Sequence, residues 1–189
     1  ADRLKTQAKE ELSGNKANSS TDPIFDLLHG VPGCGKSQII QWIREAFEKY
    51  LEWEHGIQFV CIAFQNSMAA HINGSTIHHW TGIPIGDGGM TTKNLYNFSV
   101  KCQSLRWVII DEISMVSALF LGQIENLMSK VARRRSIYRC RPDRSRRPFG
   151  GINMLLCGDF FQLKPVRGMS LYGSWDEASS EVEYDGMKL

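Results

Sequence analysis

One segment, GVPGCGKS at residues 30–37, restricts the fold of this chain more than any other part of its sequence. It fits the pattern Gly-x-x-x-x-Gly-Lys-Ser and lies between the apolar run PIFDLLH and residues 36–53, whose apolar side chains have helical spacing. Such a loop holds an anion through inward-turned backbone N–H groups and the positive end of the following helix. The segment therefore predicts a strand, a phosphate-binding loop and a helix, in that order.

The residues of this loop predict how it binds a nucleotide. Lys36 would reach the β- and γ-phosphates, and the Ser37 hydroxyl would ligate Mg²⁺. Cys34 stands close to the phosphates, where a small side chain that fits is a simpler interpretation than a redox role. The predicted nucleotide-binding residues are Gly30, Gly33, Cys34, Gly35, Lys36 and Ser37.

A second apolar run, RWVIID at residues 106–111, ends in Asp111, and a second acid, Glu112, follows directly. Asp111 would hold Mg²⁺ through water, and Glu112 would orient or deprotonate the attacking water. Two consecutive acids that end a wholly apolar strand are poorly explained as solubility residues. Together the two segments predict hydrolysis of a nucleoside triphosphate with Mg²⁺, but they do not indicate what that hydrolysis drives.

The order of the apolar segments predicts an α/β fold in which helices cover both faces of a parallel sheet. In such sheets ligands bind at the carboxyl ends of strands, which is where the unusual polar residues of this chain lie. We predict a flexible segment at 1–22, an ATP-binding domain at 23–172 with an arginine-rich loop at 132–148, and an acidic tail at 173–189. The predicted strands cover residues 23–29, 57–64, 106–111 and 152–159, and the long helices cover residues 36–53 and 117–131.

The charges of the chain are unevenly distributed, although the net charge is only +2. Eight arginines lie between residues 133 and 147, and five acids between 176 and 185. We predict that the arginine-rich loop is exposed and adds nonspecific affinity for nucleic acid, although composition alone equally fits a solvated loop.

The five cysteines form no CxxC pair, and no apolar run approaches 18 residues. These features predict a reduced, intracellular protein that is neither secreted nor inserted in a membrane, and the histidine spacing predicts no metal site of histidines.

Four segments in a fixed order resemble the first RecA-like core domain of the Pif (petite integration frequency) family of DNA helicases. The family is RecD-like, belongs to superfamily 1 and moves 5′→3′ on single strands. The resemblance covers residues 24–166, and its most specific part is GDFFQL at residues 158–163. The segments are GVPGCGKS, AAHINGSTIHHWTGIP, VIIDEISMVSALF and RPFGGINMLLCGDFFQLKPV.

This resemblance implies a function and further site residues. It implies an ATP-dependent 5′→3′ DNA helicase motor domain that acts on single-stranded or forked DNA and works with a second RecA-like domain. Roles in DNA repair, recombination and telomere maintenance would follow, in the nucleus or mitochondrion if the organism is eukaryotic. Gln162 would contact the γ-phosphate, with Phe160 and Phe161 packing its turn.

The segment GSTIH at residues 74–78 resembles a strand-contacting segment of the family. Thr76 and backbone amides would hold DNA phosphates, and His78 and Trp80 would contact the strand or, alternatively, serve only in packing. Two departures from the family pattern stand out: FQNSM precedes Ala-Ala where a Thr-Gly pair is usual, and Lys164 replaces a proline.

Two other functions fit part of the sequence. A P-loop NTPase of another class would explain the loop and the paired acids but not GSTIH or GDFFQL. A truncated remnant that only binds nucleic acid would explain the absence of a second domain, although the intact Lys36, Asp111 and Glu112 argue against decay of the site.

Overall fold

The computed structural model describes residues 22–85, 89–132, 140–141 and 143–173. Within them lies a five-stranded sheet in which every pairing is parallel. The strands follow the spatial order β1-β5-β4-β2-β3. The predicted α/β parallel sheet is thus confirmed. The strands are β1 (Phe25–His29), β2 (Phe59–Ala63), β3 (Ser75–Thr76), β4 (Trp107–Asp111) and β5 (Asn153–Gly158).

Two hydrophobic clusters, one on each face of the sheet, form the core. Alternate residues of one strand point to opposite faces, so Val60 belongs to one cluster and Cys61 to the other. All residues of β2, β4 and β5 are buried, as expected for strands covered on both faces. The helices are α1 (Lys36–Tyr50), α2 (Asn66–His71), α3 (Ile77–Thr81), α4 (Thr92–Lys101) and α5 (Ala118–Ala132), with 3₁₀ turns at Ile113–Met115 and Pro148–Gly151.

The helix α4 and the short strand β3 were not predicted from the sequence. The helix α4 begins at a cap formed by the Thr91 hydroxyl, which accepts a hydrogen bond from the Asn94 amide at 3.2 Å, and it buries Phe98. The short strand β3 follows Gly74, where a Cβ atom would collide with the carbonyl oxygen of Cys61. No helix among the described residues combines the length and apolarity that a membrane span requires.

The arginine-rich segment is only partly described, since residues 133–139 fall outside the described ranges. The Arg147 side chain is 3% exposed and lies 3.3 Å from the Asp22 carboxylate. Arg141 makes a second ion pair with Asp22, at 2.9 Å. The prediction of an exposed loop is therefore wrong for Arg147, while Arg144 and Arg146 are exposed. These ion pairs tie Asp22, the last residue of the predicted flexible segment, to the domain.

A histidine outside the sheet, His55, is hydrogen-bonded to the backbone of strand β2. The Nε2 atom of His55 accepts a hydrogen bond from the Cys61 amide at 3.1 Å, and its ring packs edge-on against Phe59. Burial, followed by the positive charge of Arg44, lowers the pKa of His55. The neutral ring is the form that can accept this hydrogen bond, so the fold favours it.

We expect the stability of this chain to fall as the pH drops from 7.5 to 5.5, with His55 responsible for part of the loss. Because the pKa of His55 is lowered in the folded state, the unfolded chain takes up the proton first, near pH 6.5. Urea unfolding at both pH values should show a smaller pH effect in His55→Gln than in the parent chain. The exposed His79, changed in the same way, serves as the control; an equal pH effect in both variants would contradict this role of His55.

Candidate nucleotide-binding site

The parallel sheet brings three of the predicted segments together at one edge. In the paired strands His29 lies opposite Gly158, and Ile110 lies opposite Leu156. The glycine loop after β1, the turn after β5 and the acids at the end of β4 are therefore neighbours. Carboxyl ends of adjacent strands are about 4.8 Å apart, so the three segments surround one small site.

The glycine loop is arranged around Lys36, which is 8% exposed. Its ammonium group donates hydrogen bonds to the carbonyl oxygens of Gly30, at 2.6 Å, and of Val31, at 3.2 Å. Gly33 and Gly35 have φ angles of 74° and 94°, in the left-handed region that other residues rarely adopt. The first turn of α1 contains no acid, so nothing there opposes a bound anion.

Gly30 lies directly against the side chain of Cys34. A Cβ atom on it would lie 2.5 Å from the Cys34 sulfur, and the Cys34 amide closes the turn by donating to the Val31 carbonyl at 3.3 Å. Cys34 is exposed. Its small side chain thus fits against Gly30, which has no side chain.

The two acids after β4 lie in different environments. Asp111 is 4% exposed and accepts a hydrogen bond from the Glu112 amide at 3.0 Å. Burial raises the pKa of Asp111, and the hydrogen bond and the charge of Lys36 oppose that effect. Burial and the negative charge of Asp111 also raise the pKa of Glu112. A cation bound here would relieve this electrostatic cost, and carboxylate oxygen is the ligand type that Mg²⁺ prefers.

The backbone of Glu112 adopts a conformation that is costly for this residue type. Its φ and ψ angles are 53° and 48°, in the left-handed region, where a non-glycine residue costs of order 1–3 kcal/mol. This conformation turns the chain abruptly from β4 into the 3₁₀ turn Ile113–Met115. This backbone strain lies at Glu112, the residue whose carboxylate the sequence predicts to have a catalytic role.

The turn after β5 is built on Asp159, which is 1% exposed. Its Oδ1 atom accepts a hydrogen bond from the Phe161 amide at 3.0 Å, and its carbonyl accepts one from the Gln162 amide at 3.1 Å. The side chain of Gln162 is exposed at the edge of the sheet. Phe160 packs as predicted, against His29 and Tyr172.

Phe161 contributes less to the turn than predicted. It touches the ring of His29 edge-on at 5.8 Å, but 87% of the residue is exposed. The two hydrogen bonds that Asp159 accepts, one at its side-chain Oδ1 atom and one at its carbonyl oxygen, hold this turn more than packing of both rings does. Asp159 and His29 were not among the predicted site residues; the only sequence signal is that both stand at strand ends.

The predicted strand-contacting residues lie at the far end of the same edge: Thr76 ends β3, and His78 and Trp80 belong to α3. The Thr76 hydroxyl accepts a hydrogen bond from the His79 amide at 3.2 Å and so caps α3. The ring of His78 stacks on Phe120 at 4.5 Å. Trp80 is 5% exposed and packs edge-on against Phe98 at a centroid distance of 4.9 Å, so in this structure its ring has no open face for a base.

The fold and this site define a nucleotide-binding domain of the RecA-like P-loop class. Within that class the chain belongs to the PIF1-like helicase family, whose family model matches residues 7–172. The resemblance to the first core domain of Pif-type helicases is thereby confirmed. Among the residues that the structure describes, no group of three or more His, Cys, Asp or Glu forms a separate metal site.

Individual relatives support the same assignment. The chain is 41% identical over 146 residues to the ATP-dependent DNA helicase Pif1 of Psychrobacter, covering 74% of this chain and 20% of that protein. It is 35% identical over 148 residues to the ATP-dependent DNA helicase RRM3 of Saccharomyces cerevisiae, covering 72% of this chain and 18% of that protein. The chain thus spans about a fifth of the length of these relatives.

Solved structures show the same fold. The Pif1 helicase from Candida albicans matches 100% of this chain with a TM-score of 0.59 and 26% identity, and the match covers 37% of that structure. A Bacteroides Pif1 bound to single-stranded DNA matches 78% of this chain with a TM-score of 0.54 and 25% identity, over 31% of its own length.

We expect Gly158→Ala to destabilise the fold by about 1–3 kcal/mol through overpacking. An added Cβ atom would lie 3.0 Å from the Ile113 Cγ2 atom and 3.1 Å from its amide nitrogen. Thermal unfolding measures the loss. Gly89→Ala is the control, because a Cβ atom there would meet nothing within 4 Å; equal unfolding temperatures of the two variants would contradict the tight approach.

Proposed function

We propose that this chain is the ATP-binding motor domain of an ATP-dependent 5′→3′ DNA helicase. The observation that carries the proposal is the placement of Lys36 and the Asp111–Glu112 pair at one sheet edge, in a member of the PIF1-like helicase family. A related Bacteroides Pif1, 25% identical with a TM-score of 0.52, was solved in complex with ADP-AlF3 and single-stranded DNA. Single-stranded or forked DNA is accordingly the proposed substrate.

The geometry supports a division of roles within the site. The glycine loop and Lys36 would hold the phosphates, because a glycine loop at a helix N-terminus binds anions through backbone N–H groups and Lys36 adds an ammonium charge there. Ser37 and Asp111 would hold Mg²⁺, which supplies charge neutralisation at the phosphates when bound. Glu112 would accept a proton from the attacking water, a role that a raised pKa favours. Gln162 would contact the γ-phosphate as a neutral amide that does not titrate.

The remaining partners follow from the family. Catalysis in this class of enzymes commonly uses an arginine supplied by a partner, and we propose that a second RecA-like domain of a longer protein provides it. Thr76 and its neighbours would contact the DNA strand. The 189 residues alone would bind nucleotide weakly and unwind nothing.

We also propose an intracellular site of action, the nucleus or mitochondrion if the organism is eukaryotic, and roles in DNA repair, recombination and telomere maintenance.

Nucleotide binding by this chain tests the first part of the proposal. We expect Lys36→Ala to weaken the binding of a fluorescent ATP analogue in the presence of Mg²⁺ by about 10- to 100-fold. The reason is the loss of charge-assisted hydrogen bonds worth about 1.5–3 kcal/mol. Lys101→Ala, which removes a lysine bonded to the Trp80 carbonyl far from the loop, serves as the control. Unchanged affinity in Lys36→Ala would refute the nucleotide site.

DNA-stimulated hydrolysis tests the helicase assignment, in a protein that also carries the second core domain. We expect Gln162→Ala to reduce the stimulation of ATP hydrolysis by single-stranded DNA at least about tenfold, equivalent to about 1.4 kcal/mol in the barrier. Nucleotide affinity should change little, because the loop remains intact. Gln123→Ala, on the exposed side of α5, is the matched control. Full stimulation in Gln162→Ala would remove that residue from the mechanism.

A further inference from the structure

His29 occupies a position between the two segments that would sense a nucleotide. It is the last residue of β1 and is followed at once by Gly30, the first residue of the glycine loop. Its side chain, 37% exposed, extends in the other direction, toward the turn after β5. His29 thus adjoins the glycine loop through its backbone, and its side chain packs against the turn that carries Gln162.

The contacts of the His29 ring involve three consecutive residues of that turn. The ring stacks on Phe160, with centroids 5.8 Å apart and planes 17° from parallel. Phe161 meets it edge-on at 5.8 Å and 73°. The Nε2 atom lies 3.6 Å from the Oδ1 atom of Asp159, the same oxygen that accepts the hydrogen bond of the Phe161 amide.

The loop end of this connection is sensitive to what the loop holds. The Lys36 ammonium donates to the carbonyls of Gly30 and Val31, and a phosphate in the loop would compete for the same donors. Loss of those bonds would release the carbonyl of Gly30, the residue that follows His29. Meanwhile the Gly30 amide donates to the Gly158 carbonyl at 3.2 Å, so the backbone at this point is also joined to the strand that precedes the turn.

We propose that His29 is a positioning residue that couples occupancy of the glycine loop to the conformation of the turn at residues 159–162. The inference rests on the proposed function, because it assumes that the loop binds nucleotide. The ring transmits a shift of the Gly30 peptide to Asp159, Phe160 and Phe161, and so sets where Gln162 is presented. A residue with only a packing role would stabilise the turn equally with or without nucleotide.

Hydrogen exchange in the 189-residue chain tests this coupling. The amides of Phe161 and Gln162 are direct reporters, since both donate to Asp159. Exchange is measured by mass spectrometry without nucleotide, with ADP and with a slowly hydrolysed ATP analogue, all with Mg²⁺. In the parent chain the analogue is expected to change exchange at residues 159–163 more than ADP does.

In His29→Ala the difference between the analogue and ADP should disappear, while nucleotide affinity stays within about threefold of the parent value. His79→Ala is the matched control, because His79 is an exposed histidine at the far end of the same edge; its difference should remain. If His29→Ala does not fold, His29→Leu fills a similar volume without the ring stacking or the Asp159 contact, and it should lose the difference too.

The outcomes separate this inference from the proposed function. If the parent chain does not bind the ATP analogue, the nucleotide site itself is refuted. If the parent chain binds the analogue but exchange at residues 159–163 is unaffected, the coupling is refuted and the site stands. If a folded His29 variant keeps the full difference between the analogue and ADP, His29 is not the residue that couples the two segments.

Discussion

The structure depends most on the end of β5, which lies between β1 and β4. At Gly158 the chain accepts a hydrogen bond from the Gly30 amide at 3.2 Å on one side. On the other side Gly158 lies close against Ile113, where a Cβ atom would come within 3.0 Å of the Ile113 Cγ2 atom. The glycine loop and the acidic turn are therefore held at fixed separations from the same residue. Because Asp159 follows directly, the turn that presents Gln162 is fixed by the same junction.

This close approach has an electrostatic consequence. Burial raises the pKa values of Asp111 and Glu112, and the negative charges of Asp111 and Asp159 raise the pKa of Glu112 further. Lys36 is the cation that opposes these effects at both acids. A fold selected for stability alone has no reason to crowd carboxylates and to place Glu112 in a strained conformation. Both costs are understandable if the site must attract a cation together with phosphate.

Local sequence signals predicted the parts of the site that depend on local structure. The glycine loop and the acid pair each follow from a strand end and its next few residues, so a short window contains the needed information. Trp80 shows where that reasoning ends: its partner Phe98, at a centroid distance of 4.9 Å, belongs to a helix that the pattern did not reveal. Arg147 is a parallel case, because its buried position depends on Asp22, 125 residues away.

The order of the strands also explains why a local connection such as His29 is needed. The glycine loop follows β1, whereas Thr76 is the last residue of β3, four strand spacings or about 19 Å away along the edge. Between them, β2 and β4 are buried on both faces, and packed cores of this kind transmit strain rather than deform locally. A change at the loop can reach the far end only as a shift of whole elements. The turn that presents Gln162 is different. It follows β5, the strand next to β1, it is partly exposed, and it is held by a few hydrogen bonds and by contact with the His29 ring. It is therefore the part of the edge that can respond first to the state of the loop, and His29 is the side chain through which it does so.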